Sequence, residues 1–308
     1  MDKYLLTILG SSVDLFYEAD SYPEEGDFSH ARYIRSMAGG CPLNVGAVCA
    51  SKGLNVKALD MLGKEDESTS FLLSEMKRFG FDTENIIIKE GVSNGQVVII
   101  LTGEQRTMFV VDPIRPVYDV DQKMQDLMND ATYIYSLMHM INRSFSSLDP
   151  FLEAKRHGAR MIMDGSSKYD DPSRVKILYD LVDGLFINDM DYERLKVHSP
   201  EEPKDIIFRN GGEFLVITRG SRGSTLYLKD REIYKPSLKG LKVFDSTGAG
   251  DAFAGCFIAC LLDGMDYERA LAMASVNGAY ACTVFGGSGG VASFETLERF
   301  AKEYDYDL

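Results

Sequence analysis

Asp245-Ser246-Thr247-Gly248-Ala249-Gly250-Asp251 leads straight into Ala252-Phe253-Ala254-Gly255-Cys256-Phe257-Ile258-Ala259-Cys260-Leu261-Leu262, an uncharged run of small and apolar residues. That run predicts a buried helix from Gly250 to Leu262. Gly248, Ala249 and Gly250 put nearly bare backbone at its mouth. The first amides of a helix have no intrahelical partner, and the macrodipole adds partial positive charge there, so such an end suits a phosphate or another anion. Asp251 falls in the first turn. An acid there is either a residue that complements the dipole or, beside a bound phosphate, a base that takes a proton from an attacking hydroxyl.

A second glycine-rich stretch, Gly39-Gly40-Cys41-Pro42-Leu43-Asn44-Val45-Gly46, lies about 200 residues upstream. Its two glycines let a hydroxyl-rich ligand approach the backbone, and Asn44 offers both a donor and an acceptor. Read alone, it is a loop that starts a helix at Pro42. The heptad resembles Asp-Thr-x-Gly-Ala-Gly-Asp, the second signature of the ribokinase-like (PfkB) carbohydrate kinases, with Ser246 in place of threonine. The upstream stretch resembles that family's first signature, Gly-Gly-x-x-x-Asn-x-Ala, with Gly46 in place of alanine, a change expected to matter for packing alone.

Composition agrees with a globular protein. The chain has 308 residues, is 45% hydrophobic, and carries 33 basic against 47 acidic residues for a net charge of −14. So acidic a chain argues against nucleic acid or an anionic membrane as a partner. The five cysteines form no Cys-x-x-Cys pair and read as small buried residues of a reduced, cytoplasmic protein. Cys256 and Cys260 share a helix face, but the four scattered histidines complete no metal site with them. The opening run Met1–Gly10 is too short for a signal peptide and reads as a buried first strand; no run has the length of a membrane span.

Apolar runs alternate with helical patterns. Strands are expected at Tyr4–Leu9, Val56–Leu62, Met161–Asp164, Gly184–Asn188 and Phe214–Thr218. Helices are expected at Pro42–Lys52, Glu67–Phe79, Val120–Met128, Ser147–Arg156 and from Asp266 to about Phe285. Asp171-Pro172 reads as a helix start and Ser199-Pro200-Glu201-Glu202 as a capping box. This alternation predicts parallel βαβ units. Two segments break it. Leu15–Arg35 is aromatic, acidic and turn-rich, and Gln96–Val111 reads as two strands around the turn Thr102–Arg106.

The resemblance spans nearly the whole chain. It implies a ribokinase-like doubly wound α/β sandwich as a single domain over 1–308, with a small β-sheet lid formed by about 15–38 and 94–115. It implies an ATP-dependent kinase for a small carbohydrate such as ribose, fructose or a keto-sugar acid. Asp251 would be the general base, and the amides of Gly248, Ala249 and Gly250 the anion hole. Gly10-Ser11-Ser12-Val13-Asp14 follows the first strand, and Asp14 is expected to hold substrate hydroxyls with Gly39, Gly40 and Asn44. Arg106 matches a hairpin residue expected on the substrate side, or it is a solvated turn residue. Thr218-Arg219-Gly220-Ser221-Arg222-Gly223 resembles a nucleotide-binding turn, so Thr218, Gly220 and Gly223 are expected at ATP with Asn188, Gly250 and Asn277; Asn277 is otherwise a buried structural residue.

In Asn188-Asp189-Met190-Asp191, Asp191 stands where relatives have glutamate, and is expected either to organise Mg2+ through water or to be a plain first-turn acid. Asp245 and Thr247, with the loop at Gly286-Gly287-Ser288, match a site for a monovalent cation such as K+. Asp164-Gly165-Ser166-Ser167-Lys168 departs from the relatives' Asp-x-Asn-x-Arg, which leaves the acceptor open. A homodimer through the lid is expected by the same resemblance. The alternatives are a nucleoside or sugar-phosphate kinase of this fold and a non-catalytic ligand-binding relative. A dinucleotide-dependent oxidoreductase is excluded, because no Gly-x-Gly-x-x-Gly follows the first strand.

Overall fold

Parallel strands covered on both faces must be apolar throughout, and the runs expected from the sequence form such a sheet. The computed structural model describes residues 3–103, 105–165, 179–197, 199, 201–287 and 289–308. The strands are β1 (Leu5–Ile8), β2 (Ser12–Ala19), β3 (Ala31–Gly39), β4 (Val56–Leu59), β5 (Met61–Gly63), β6 (Ile87–Lys89), β7 (Gly95–Thr102), β8 (Gln105–Val111), β9 (Tyr133–Leu137), β10 (Arg160–Asp164), β11 (Gly184–Asn188), β12 (Phe214–Thr218), β13 (Ser224–Tyr227) and β14 (Glu232–Lys235).

An eight-stranded sheet runs in the order β14-β13-β12-β11-β10-β9-β1-β4. The strands from β4 to β12 in this order are parallel, and β13 and β14 add an antiparallel edge. The buried residues form two clusters. One holds the helices Cys41–Ala50, Ala249–Leu262 and Tyr267–Ala281; the other gathers Met138, Phe151, Tyr192 and Ile207 with inward residues of β1, β9 and β12. The fold is the expected α/β sandwich. A four-stranded sheet, β3-β2-β7-β8, stands apart from it, built from the two segments that broke the rhythm.

Some boundaries moved. Val56–Leu62 is interrupted at Asp60, and Met61–Gly63 pairs with β6 in a separate two-stranded sheet. Asp60 breaks the run because its carboxylate accepts the Ser11 amide at 2.9 Å and pairs with Arg115 at 2.7 Å, both partners buried. Ser199 caps no helix. The helix starts later, at Pro203, with Glu202 before it and no side-chain cap, and Ser199 Oγ donates to Glu201 O instead. A proline at the first helical position already removes one orphan amide, which makes a side-chain cap less necessary. Asp171-Pro172 and Ser166–Lys168 lie outside the described residues.

The apolar helix Ala249–Leu262 is buried nearly all round. Gly255 brings it against the helix Cys41–Ala50: a methyl there would come within 2.8 Å of Val45 O and Val48 Cβ. Cys49 Sγ donates to Gly255 O at 3.2 Å across the same contact. Gly46 serves the same layer, since its missing side chain makes room for Phe81, whose ring would lie 2.4 Å from an added Cβ. The two glycine-bearing motifs therefore meet because the helices carrying them are thin enough to touch.

Candidate active site

Asn44 Nδ2 donates to Asp251 Oδ2 at 2.7 Å, joining residues 207 apart in sequence. Asn44 Oδ1 is buried with no protein partner. Such an acceptor costs stability unless something donates to it. Asp14, Asp164 and Asp251 bear on one another electrostatically around the Cys41 thiol. Burial pushes Asp251 up to about 6; Asp164 and Asp14 add to the rise, while hydrogen bonds from Asn44 and Cys41 oppose it. Asp14 is also raised to about 6 by burial, against a hydrogen bond from Ser12 Oγ at 3.1 Å. Burial and the nearby carboxylates push the Cys41 thiol up as well, so it stays protonated and can donate.

The backbone around these acids is tightly folded. Gly40 has φ 98°, and a Cβ there would lie 1.7 Å from Gly10 O; a Cβ on Gly39 would lie 2.3 Å from the Asp14 carboxylate. Only glycine fits at Gly40, and a side chain at Gly39 would displace the Asp14 carboxylate. Gly10 and Ser11 follow β1, Asp164 ends β10, Asn188 ends β11 and Thr218 ends β12. All sit at the carboxyl ends of parallel strands, where open α/β sheets bind ligands.

Gly248 precedes the helix with φ 72° and no side-chain cap. The Ala249 amide makes a long 3.3 Å bond to Ser246 O, so it is partly engaged. The amides of Gly248 and Gly250 make no such bond among the described residues. The anion hole expected from three amides thus has two free ones and one shared. Asp245 fixes this loop from below: its Oδ1 accepts from Thr247 N at 2.9 Å and Thr247 Oγ1 at 2.6 Å, and its Oδ2 from Gly286 N at 2.9 Å. Arg106, expected on the substrate side, instead reaches Asp245 Oδ1 at 3.0 Å and also contacts Thr247 Oγ1.

A cavity of about 500 Å³ opens beside the loop, lined by Thr218, Gly220, Gly223, Gly250 and Phe253 among others. Gly223 has φ 82° and would clash with Lys235 O if it bore a side chain. Asn277 does not line this cavity. It is fully buried behind it with Nδ2 donating to Ala252 O at 2.7 Å, which favours the structural role, and its neighbours Ser275, Gly278 and Ala279 line the cavity instead. The helical periodicity around residue 277 did not reveal which side faced the space. Asn188 and Asp191 lie outside the lining too. Asp191 accepts from Asn188 Nδ2 at 2.6 Å and pairs with Arg194 at 2.7 Å.

Sequence reasoning missed Cys41 as a neighbour of Asp251, although the residue stood inside the quoted motif. It also missed Asp60 and Arg115, which fix the Gly10–Ser11 turn. No sequence spacing links those two to the motifs.

A family profile described as pfkB family carbohydrate kinase matches residues 5–293. The chain belongs to that family. It is similar to the 5-dehydro-2-deoxygluconokinase of Halalkalibacterium halodurans, with 24% identity over 97% of this chain and 94% of that protein. In structure it is similar to the Arabidopsis thaliana ribokinase solved with ribose and ATP, with TM-score 0.83 and 20% identity over 98% and 99% of the two chains. An E. coli protein described as ribokinase II, solved with ATP and Mg2+, gives TM-score 0.83 and 20% identity over 98% and 100%. The chain is thus a ribokinase-fold phosphotransferase of the sugar-kinase family. No helix among the described residues is long and apolar enough to cross a membrane.

Proposed function

We propose that this pfkB-family chain moves the γ-phosphoryl group of ATP to a hydroxyl of a small, neutral or weakly charged sugar. The observation that carries the reading is the part-buried Asn44–Asp251 contact beside the free amides of the 248–250 loop. Asp251 takes the proton from the acceptor hydroxyl as its oxygen bonds to phosphorus. The bond from the γ-phosphorus to the bridging oxygen breaks and ADP leaves, while Asp251 later returns its proton to solvent. The Gly248 and Gly250 amides, with Ala249 sharing its own, stabilise charge on the transferring group. Thr218, Gly220 and Gly223 cradle the nucleotide. The relatives solved with ATP and with Mg2+ support this assignment.

Asp191 is the residue proposed to hold Mg2+ through water. It fits, because a carboxylate offers about four lone-pair sites and the Asn188 and Arg194 contacts leave some of them for water. Mg2+ would neutralise the phosphate oxygens there. Among the described residues there is no cluster of three or more His, Cys, Asp or Glu side chains that could hold a metal ion.

Asp14, Asp164 and Asp251, which act on one another electrostatically beside Cys41, favour an acceptor that donates hydrogen bonds and repel one that brings a phosphate to that end. This argues for a free sugar over a sugar phosphate. A panel of ribose, deoxyribose, fructose, keto-sugar acids, nucleosides and sugar phosphates tests the reading by ADP release. Turnover on sugar phosphates alone would overturn the acceptor class, and absence of ATP binding would overturn the kinase.

Asp251 must be ionised to act, and its folded pKa is about 6. The expected kcat/KM is flat above about pH 7 and falls about tenfold per pH unit below 6, more steeply if Asp14 must also be ionised. A profile level from pH 5 to pH 8 would remove Asp251 as the base. The lid edge β8 is exposed along its length, with Phe109 and Val110 at least half exposed. An unpaired apolar edge invites pairing, so we assign it to contact with a second copy; a solution mass of one chain would reject that. The five free cysteines fit a reducing, cytoplasmic setting.

A further inference from the structure

We infer that Arg106 is a tethered substitute for a monovalent cation, so that the anion loop of this protein needs no potassium. The family resemblance puts such a cation at Asp245 and Thr247. Here one guanidinium nitrogen, Arg106 Nη1, takes both groups at once, the Asp245 carboxylate and the Thr247 hydroxyl. The remaining carboxylate capacity goes to Thr247 N, Thr247 Oγ1 and Gly286 N. A potassium ion at the same oxygens would meet a like charge already in place, so the residues do not fit it.

Asp245 thus takes its counter-charge from within the chain. Its side chain is 12% exposed and that of Arg106 33%, so the pair is only partly screened.

The cation also arrives from a different part of the fold. Arg106 stands opposite Leu101 in the β7–β8 hairpin, whereas Asp245 and Thr247 belong to the loop that opens the helix Ala249–Leu262. Support for the free amides thus depends on where the lid sits. A soluble ion would give the same charge without that dependence. Arg106 is a positioning residue in this account, acting on phosphate through the loop. The inference rests on the kinase reading only for what the loop does; the identity of the cation stands on the contacts alone.

The test compares the full-length wild type with Arg106→Ala, and with Arg106→Gln as a near-isostere should alanine disturb the hairpin. Melting temperature and ATP affinity are measured in KCl and in choline chloride at equal ionic strength. The wild type is expected to show no potassium-specific change in either. The neutral variants are expected to gain a potassium-specific rise in melting temperature, as a ligand of the native state gives, and about tenfold in ATP affinity. Millimolar guanidinium should replace potassium in that role. A general loosening of the lid would not produce rescue by small cations.

A potassium-specific rise in the wild type would overturn the inference. So would variants that ignore both potassium and guanidinium. If the wild type binds no ATP in any salt, the kinase reading fails, and the melting curves still decide whether Arg106 takes the cation's place.

Discussion

Asp251→Asn is expected to lower kcat by about 10²–10⁴-fold, the usual worth of a positioned general base. ATP affinity should hardly change, because the amide keeps the shape of the side chain and can still accept from Asn44 Nδ2. The same substitution should make the protein more stable. An unfolded aspartate titrates near 3.9, and Asp251 does so at about 6 in the folded state. The native state therefore binds the extra proton between those values. Stability falls as pH rises from about 4 to about 6, and the loss persists at neutral pH. Removing the ionised group should recover up to about 3 kcal/mol near pH 7, less whatever solvent screens around this partly exposed residue. Steady-state rates and thermal melts at pH 7 and pH 5 check both halves. Turnover within threefold of wild type would show that another group takes the proton. A melting temperature lower than wild type at pH 7 would show that burial does not disfavour the carboxylate.

Gly248→Ala is expected to fail by a different route. Gly248 has φ 72°, and a methyl there would lie 2.0 Å from Gly287 O and 2.7 Å from two further backbone atoms of Gly287. No rotamer relieves a contact between Cβ and backbone, so the 245–250 and 286–287 loops must separate. The left-handed conformation adds about 1–2 kcal/mol of its own for a residue with a side chain. Separation also moves Gly286 N away from Asp245 and turns the free amides off their target. Losing one such donor costs about 10²–10³-fold in kcat. The expected phenotype is a lower melting temperature together with a large loss of turnover, where Asp251→Asn shows only the second. A variant with wild-type turnover would mean that the 248–250 amides do not serve the phosphoryl group.

A non-catalytic binding protein could hold its ligand with the same carboxylate and amides, so turnover in the acceptor panel separates that alternative. The nucleoside alternative is separated by the acceptor panel and not by the fold, because the same strand ends serve any hydroxyl.

What the sequence determined by itself was local. The heptad at 245–251 and the stretch at 39–46 could be read because glycines that must lie against backbone leave no freedom in residue type. The added Cβ at Gly40 and at Gly248 shows why, at 1.7 Å and 2.0 Å from carbonyl oxygens. The central strands could be read because both of their faces are buried, which enforces unbroken apolar runs such as Phe214–Thr218. Tertiary structure decided everything that depends on how far two elements stand apart. The Asn44–Asp251 bond exists because Gly255 lets two helices touch, and no pattern within either helix states that distance. Asn277 turned to Ala252 O and away from the cavity because the rotation of a helix buried along most of residues 270–277 is set by its neighbours. Arg106 met Asp245 because the β7–β8 hairpin reaches the 245–250 loop, 139 residues away along the chain. A long cation on a hairpin carries no local mark of its partner; the partner is fixed by which opposite charge the fold brings within reach.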